Sequence, residues 1–189
     1  MKRRQILKGI LGATALGLTS YSGFTYFVDS VSVNAKSIDA YTTLIEDLTE
    51  VIIPATDTPG AKDAEVYKFI IDYIENCATK KEYRNFLNGL ATIEQKSIDK
   101  FDTPFIDCSY EIKHSLVSEL DNSFQNTILA KIDSKIRGKS FFNLLRDLTV
   151  EGYCTSKIGA TEFLEYQHIP GDYIAVTNYS INQKAWATK

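Results

Sequence analysis

Cysteine, histidine, glycine and proline are all scarce in this sequence, and each shortage removes a class of protein. Three cysteines in 189 residues cannot build a disulfide scaffold. Cys77, Cys108 and Cys154 also stand too far apart for CxxC or CxxCH spacing, so zinc, haem c and thioredoxin-type redox sites lose their usual ligands. A Cys108–Cys154 bridge stays open, because spacing alone does not choose a pairing. The two histidines, His114 and His168, have no ligand-type neighbours in sequence and read as ordinary satisfied side chains. GxGxxG, P-loop, GxSxG and HExxH patterns are absent, which removes the hardware for nucleotide cradling, serine hydrolysis and zincin chemistry. Asp57, Asp63 and Glu65 cluster without the spacing of a calcium loop. They read instead as charges at a helix N-terminus, each stabilising it by about 0.3–1 kcal/mol. An excess of basic charge is missing too: 21 basic against 24 acidic residues give a net −3, which argues against a nucleic-acid surface.

The ten glycines and four prolines are unevenly placed, with Gly9, Gly12, Gly17 and Gly23 all near the start. The rest of the chain is poor in breakers and favours helices over a turn-rich β fold. The first residues differ in kind from the remainder. Lys2-Arg3-Arg4-Gln5-Ile6-Leu7-Lys8 is a basic head, followed by an uncharged, weakly hydrophobic stretch from Gly9 to Val28. Arg3, Arg4, Leu7 and Lys8 resemble the twin-arginine export signal, with Ile6 where that motif usually carries Phe. Such a signal is an address read by a receptor that exports folded proteins. The stretch has the length of a spanning helix, about 20 residues, without its hydrophobicity. Val33-Asn34-Ala35 offers a cleavage site, so residues 1–35 read as a signal peptide, with an uncleaved anchor as the alternative. Those residues carry Lys2, Arg3, Arg4 and Lys8 against Asp29, a net +3, so their removal takes the formal charge from −3 to −6. The remaining 36–189 are long enough to bury about 68–70% of the unfolded surface in one domain. Their acidity argues against a lipid surface held by basic patches.

Within 36–189 the apolar residues keep helical time. Ile38, Tyr41, Leu44, Ile45, Leu48 and Ile52 form one stripe over 38–53, which Pro54 ends. Thr58 before Pro59 predicts an N-cap followed by the first helical residue. Val66, Phe69, Ile70, Tyr73, Ile74 and Cys77 then keep the spacing i, i+3, i+4, i+7, i+8, i+11, with Cys77 read as a small buried side chain. A helix over 80–101 uses Tyr83, Phe86, Leu87, Leu90 and Ile98. Another is marked by Ile112, Leu116 and Leu120, and a shorter one is expected over 123–136. From Ser140 to Cys154, Phe141, Leu144, Leu145, Leu148 and Gly152 make an apolar face, opposite Asn143, Arg146, Asp147 and Glu151. A short helix ends near Tyr166, and the last 20 or so residues look irregular or extended. The fold class is all-α: one compact domain of about five to seven helices with an irregular C-terminal tail.

Two segments carry a family resemblance. Ile52-Ile53-Pro54-Ala55-Thr56-Asp57-Thr58-Pro59-Gly60-Ala61 and Phe141-Phe142-Asn143-Leu144-Leu145-Arg146-Asp147-Leu148-Thr149-Val150-Glu151-Gly152-Tyr153 resemble the gluconate 2-dehydrogenase subunit 3 family. Thr155-Ser156, Gly159-Ala160, Tyr166, Pro170-Gly171-Asp172-Tyr173 and Ala185-Trp186 continue the likeness, which runs from about residue 40 to 186. The middle, roughly 78–138, agrees only in helical character. Cys154 stands where the family pattern leads one to expect an aromatic residue.

The resemblance implies a non-catalytic small subunit of a periplasmic, membrane-associated, FAD-dependent sugar or sugar-acid dehydrogenase. FAD would lie in a large flavoprotein subunit of the glucose–methanol–choline type, and haem c in a cytochrome subunit where one is present. The small subunit would bring the export signal, engage the twin-arginine translocase and stabilise the flavoprotein. No catalytic, cofactor-binding or metal residue is then expected in this chain. Expected partner contacts are Thr56, Asp57 and Pro59 in the loop, Arg146 and Tyr153 on the helix, and Tyr166, Tyr173 and Trp186 in the tail, with Tyr179 among the tail's aromatics. A solvated helix face is the plainer reading of Arg146. Closure of the domain's own core is the plainer reading of the tail aromatics. A free-standing periplasmic helical binding protein or assembly chaperone is the competing function.

Overall fold

The computed structural model describes residues 37–122, 139–169, 171, 176, 178 and 180–187. The leader at 1–35, the helix expected over 123–136, and Tyr173 and Tyr179 lie outside the described residues. A single 3-10 turn, Ile38–Tyr41, leads into α1, Thr42–Ile52. Next along the chain are α2, Val66–Asn76, α3, Lys80–Phe101, and α4, Tyr110–Asn122. A 3-10 turn at Phe105–Asp107 lies between the last two. After them come α5, Phe141–Thr155, and a π turn at Gly159–Phe163. The all-α expectation holds: among the described residues the only β element is one isolated bridge.

Helix α5 is the shared neighbour, packing against α1, α2 and α3, while α1 also meets α2 and α4. The core is where their stripes converge: Ile45 and Leu48, Ile70 and Ile74, Phe86 and Leu90, and Leu144, Leu145 and Leu148 are all buried. Each such side chain contributes about 1.5–3 kcal/mol relative to exposure. Phe86 and Phe141 meet with ring centroids 5.3 Å apart. The α2–α5 approach depends on Gly152, because a Cβ there would lie 2.7 Å from Phe69 Cδ1 and 3.0 Å from Val66 Cγ1. Buried polar groups are spent locally: Thr49 and Thr149 donate to the carbonyls of Glu46 and Leu145 at 2.8 and 2.7 Å. No described helix is long and apolar enough to cross a membrane.

Several sequence expectations are corrected in detail. Thr58 and Pro59 do not start a helix. The chain turns through 61–65 and α2 begins at Val66, behind a left-handed Glu65 with φ 51°. Bonds from the Glu50 carboxylate to Ala55 N and Lys62 N override the local cap signal. Cys77 is exposed rather than buried. The capping box of α3 takes over at Thr79, whose hydroxyl accepts from Glu82 N while the Glu82 carboxylate accepts from Thr79 N, so α2 must stop at Asn76. Ile98 is 40% exposed. The buried stripe of α3 runs through Phe86, Leu90, Ile93 and Ser97, whose hydroxyl donates to Thr103 O at 2.8 Å and meets Cys108 Sγ at 3.1 Å. All three thiols are free, so Cys108 and Cys154 form no bridge.

Candidate partner interface

The loop after α1 is held from beneath by one carboxylate. Glu50 lies in the last turn of α1, and its Oε1 accepts from Ala55 N at 2.9 Å while Oε2 accepts from Lys62 N at 3.0 Å. Charge-assisted bonds of this kind are about twice as strong as neutral ones, and these two pin both ends of the loop to one side chain. Gly60 passes so close to that carboxylate that a Cβ would lie 2.5 Å from Glu50 Oε2 and 2.7 Å from Ala55 N. Glycine is the residue that fits. Gly60 N donates to Asp63 Oδ2 at 3.1 Å, and Ala61 N donates to Ile53 O at 2.9 Å, returning the chain to the end of α1. At the tip, Thr56 Oγ1 donates to Asp57 Oδ1 at 3.0 Å, and Thr56 N donates to Thr58 O at 2.9 Å. Thr56 and Asp57 are exposed and Pro59 is partly covered.

An ionic network supports the same loop. Lys62 Nζ lies 3.5 Å from Glu46 and 3.6 Å from Asp47, and Lys113 Nζ of α4 reaches Asp47 Oδ2 at 2.7 Å. Partial burial works against the charged ammonium of Lys62, but the two carboxylates outweigh it and hold its pKa above the ordinary lysine value. The Lys113–Asp47 pair is the better shielded, both side chains being about 15% exposed, and joins α1 to α4.

Tyr153 links this loop to the C-terminal segment. It is 1% exposed, so it is not the surface contact expected from the sequence. Its hydroxyl instead donates to Pro59 O at 2.6 Å, across 94 residues of chain. Its ring meets Phe163 edge-on at 5.7 Å. Between them Ser156 ends α5: its hydroxyl donates to Tyr153 O at 2.7 Å and accepts from Gly159 N at 2.9 Å. The π turn comes next, and Phe163 at its end is 46% exposed.

The tail returns to this place. Glu165 N donates to Ala185 O at 2.8 Å and Ala187 N to Glu165 O at 2.9 Å, a parallel bridge between Glu165 and Trp186. Lys184 Nζ donates to Glu162 O. Tyr166 is 44% exposed and its hydroxyl contacts His168 Nδ1 at 3.3 Å, while Trp186 is 49% exposed. These two aromatics are therefore half in water and do not complete the core. Arg146 stands two turns up α5 from Tyr153, about 10 Å along the axis, half exposed on the polar face beside Asp147 and the Phe142 ring. Of the expected contact residues the structure joins Tyr153 to Pro59 directly, ties Trp186 to Glu165 beside Tyr166, and places Arg146 on a half-exposed helix face.

Sequence reasoning missed Glu50 and Phe163. Glu50 is an acid in the last turn of a helix, and its partners at 55 and 62 leave no local pattern. Phe163 has a weak signal as an apolar residue within the short segment before Tyr166. Among the described residues no group of three or more His, Cys, Asp or Glu is arranged to hold a metal ion.

Compared with known proteins, the chain matches a family pattern. The pattern described as gluconate 2-dehydrogenase subunit 3 matches residues 39–171. That span contains the Glu50-clamped loop, α5 and Phe163. No curated relative and no solved structure matches the chain.

Proposed function

Because the chain belongs to the gluconate 2-dehydrogenase subunit 3 family, we propose that it is the non-catalytic small subunit of a periplasmic, membrane-associated, FAD-dependent sugar or sugar-acid dehydrogenase. The family match over residues 39–171 carries this reading. FAD belongs to the large flavoprotein subunit, of the glucose–methanol–choline type, and haem c to a cytochrome subunit where the complex has one. This chain's work is done by binding: it stabilises the flavoprotein and supplies the export address in Arg3, Arg4, Leu7 and Lys8. A folded, FAD-loaded partner without a signal of its own then leaves the cytoplasm with this one, through the twin-arginine translocase. That route demands a complex tight enough to survive transport, of the kind that buries about 2,000 Å² or more around aromatic anchors. The half-exposed Tyr166 and Trp186 suit such anchors.

Replacing Arg3 and Arg4 by Lys in the full chain tests the export role. The periplasmic flavoprotein is expected to fall at least tenfold, with FAD-loaded large subunit accumulating in the cytoplasm. An unchanged periplasmic level rejects the carrier role.

A further inference from the structure

We propose that the leader is not removed but anchors this chain in the lipid bilayer, because the folded domain begins too close to the expected cut. The proposal rests on the export reading given above, under which the domain is already folded when it crosses the membrane.

Cleavage after Ala35 leaves Lys36 alone between the new terminus and Ser37, which already caps the first turn. Ser37 Oγ accepts from Asp39 N at 3.2 Å and donates to Asp39 Oδ2 at 2.8 Å, while Ser37 O accepts from Ala40 N at 3.0 Å. Thr42 Oγ1 closes the same turn by donating to Asp39 O at 2.8 Å. Ile38 is 0% exposed and belongs to the core of the domain. A protease holds the chain on both sides of its cut as an extended strand. Susceptibility therefore follows the burial and hydrogen bonding of that backbone. Here the side beyond the cut would have to give up the Ser37 cap and draw Ile38 out of the core. From Ala35 to Ile38 the chain reaches at most about 11 Å, so the domain stands where the enzyme must bind. A chain exported unfolded escapes this obstacle; one exported folded does not.

The retained segment is composed to hold a membrane. Gly9 to Val28 is 20 residues without a charge, about 30 Å as a helix, which is the thickness of the hydrocarbon core. Lys2, Arg3, Arg4 and Lys8 at one end suit the cytoplasmic side, where basic residues are retained. Tyr21 and Tyr26, with Phe24 and Phe27, gather at the other end, and tyrosines favour the level of the lipid headgroups. The middle is weakly hydrophobic, so these two ends carry much of its hold. Residues 36–189 carry a net −6, which disfavours anionic lipid, so attachment falls to the leader.

The test uses the full chain, tagged at its C-terminus in the cells that make it. It is compared with a variant carrying about eight Gly/Ser residues between Lys36 and Ser37, roughly 27 Å of added reach. The insertion keeps residues 33–36 and moves the domain away from the cut. Intact mass reads the leader, and a carbonate wash of the membranes reads attachment. An impermeant maleimide on the exposed Cys77 in spheroplasts reads export. The native chain is expected to be labelled, to stay in the washed membranes and to keep its leader in at least tenfold excess over cut protein. The variant is expected to be labelled, cut after Ala35 and released by the wash. A labelled native chain that has lost its leader overturns the retained anchor and spares the export reading, as does a labelled full-length chain that the wash releases. A variant that keeps its leader as fully as the native chain overturns the proposal, since the folded domain is then not the obstacle. A native chain whose Cys77 stays unlabelled overturns both readings.

Discussion

Tyr153 and Glu50 show how single side chains set the candidate surface without forming it. Tyr153 is recognisable in the sequence as the end of a family block, but its partner, Pro59, is 94 residues away and no local spacing reveals the bond. Its role is positional, which explains why a residue expected at an interface is buried. Glu50 has no signature at all, since its bonds to Ala55 and Lys62 exist only once the loop has folded back. By contrast, Gly60 is legible as a turn residue, and the structure supplies the reason for glycine in the Glu50 carboxylate beneath it. Tyr153→Phe keeps the ring against Phe163 and removes the hydroxyl from Pro59 O. The expected cost is about 1–3 kcal/mol, a fall in Tm of roughly 2–4 °C per kcal/mol for a domain of this size. Hydrogen exchange should quicken within 55–62 and stay unchanged in α3. Uniform acceleration throughout the domain would mean that Tyr153 is simply a core residue.

At the scale of elements, legibility depends on how local each determinant is. Helix α3 is legible at both of its ends because its stripe runs 22 residues and its capping box lies within four. The start of α5 is legible because Ser140 caps it directly, accepting from Asn143 N at 3.4 Å. The start of α2 is not, because a tertiary clamp decides where the loop ends. Ile98 misleads because Ser97, a polar residue, fills the buried position, satisfied by Thr103 O. Packing between elements is legible only at Gly152, which the sequence puts on the apolar face without showing what it meets. Gly152→Val tests that contact. Three added carbons on a site where a Cβ alone would approach Phe69 to 2.7 Å should force α2 and α5 apart, costing about 1–3 kcal/mol or more. A variant with unchanged thermal midpoint would show that the two helices do not need this close approach.

For the whole molecule, composition and structure point the same way. A breaker-poor chain folds into helices around α5. The loop and the tail are both visible in the sequence as places of interest. The bond from Tyr153 to Pro59 O and the bridge between residues 165 and 186 are not, since neither follows from local spacing. Among the described residues a buried helical core stands beside exposed apolar side chains such as Phe163, Tyr166 and Trp186, and the family is that of a dehydrogenase subunit. The proposed role of this chain as small subunit of a flavin-dependent dehydrogenase has a direct test. Tagging its C-terminus and purifying it from the periplasm measures this directly, by the mass and absorbance of the recovered material. The expected result is a stoichiometric heteromer with the absorbance of bound flavin. A monomer free of cofactor, recovered without any flavoprotein, would contradict it.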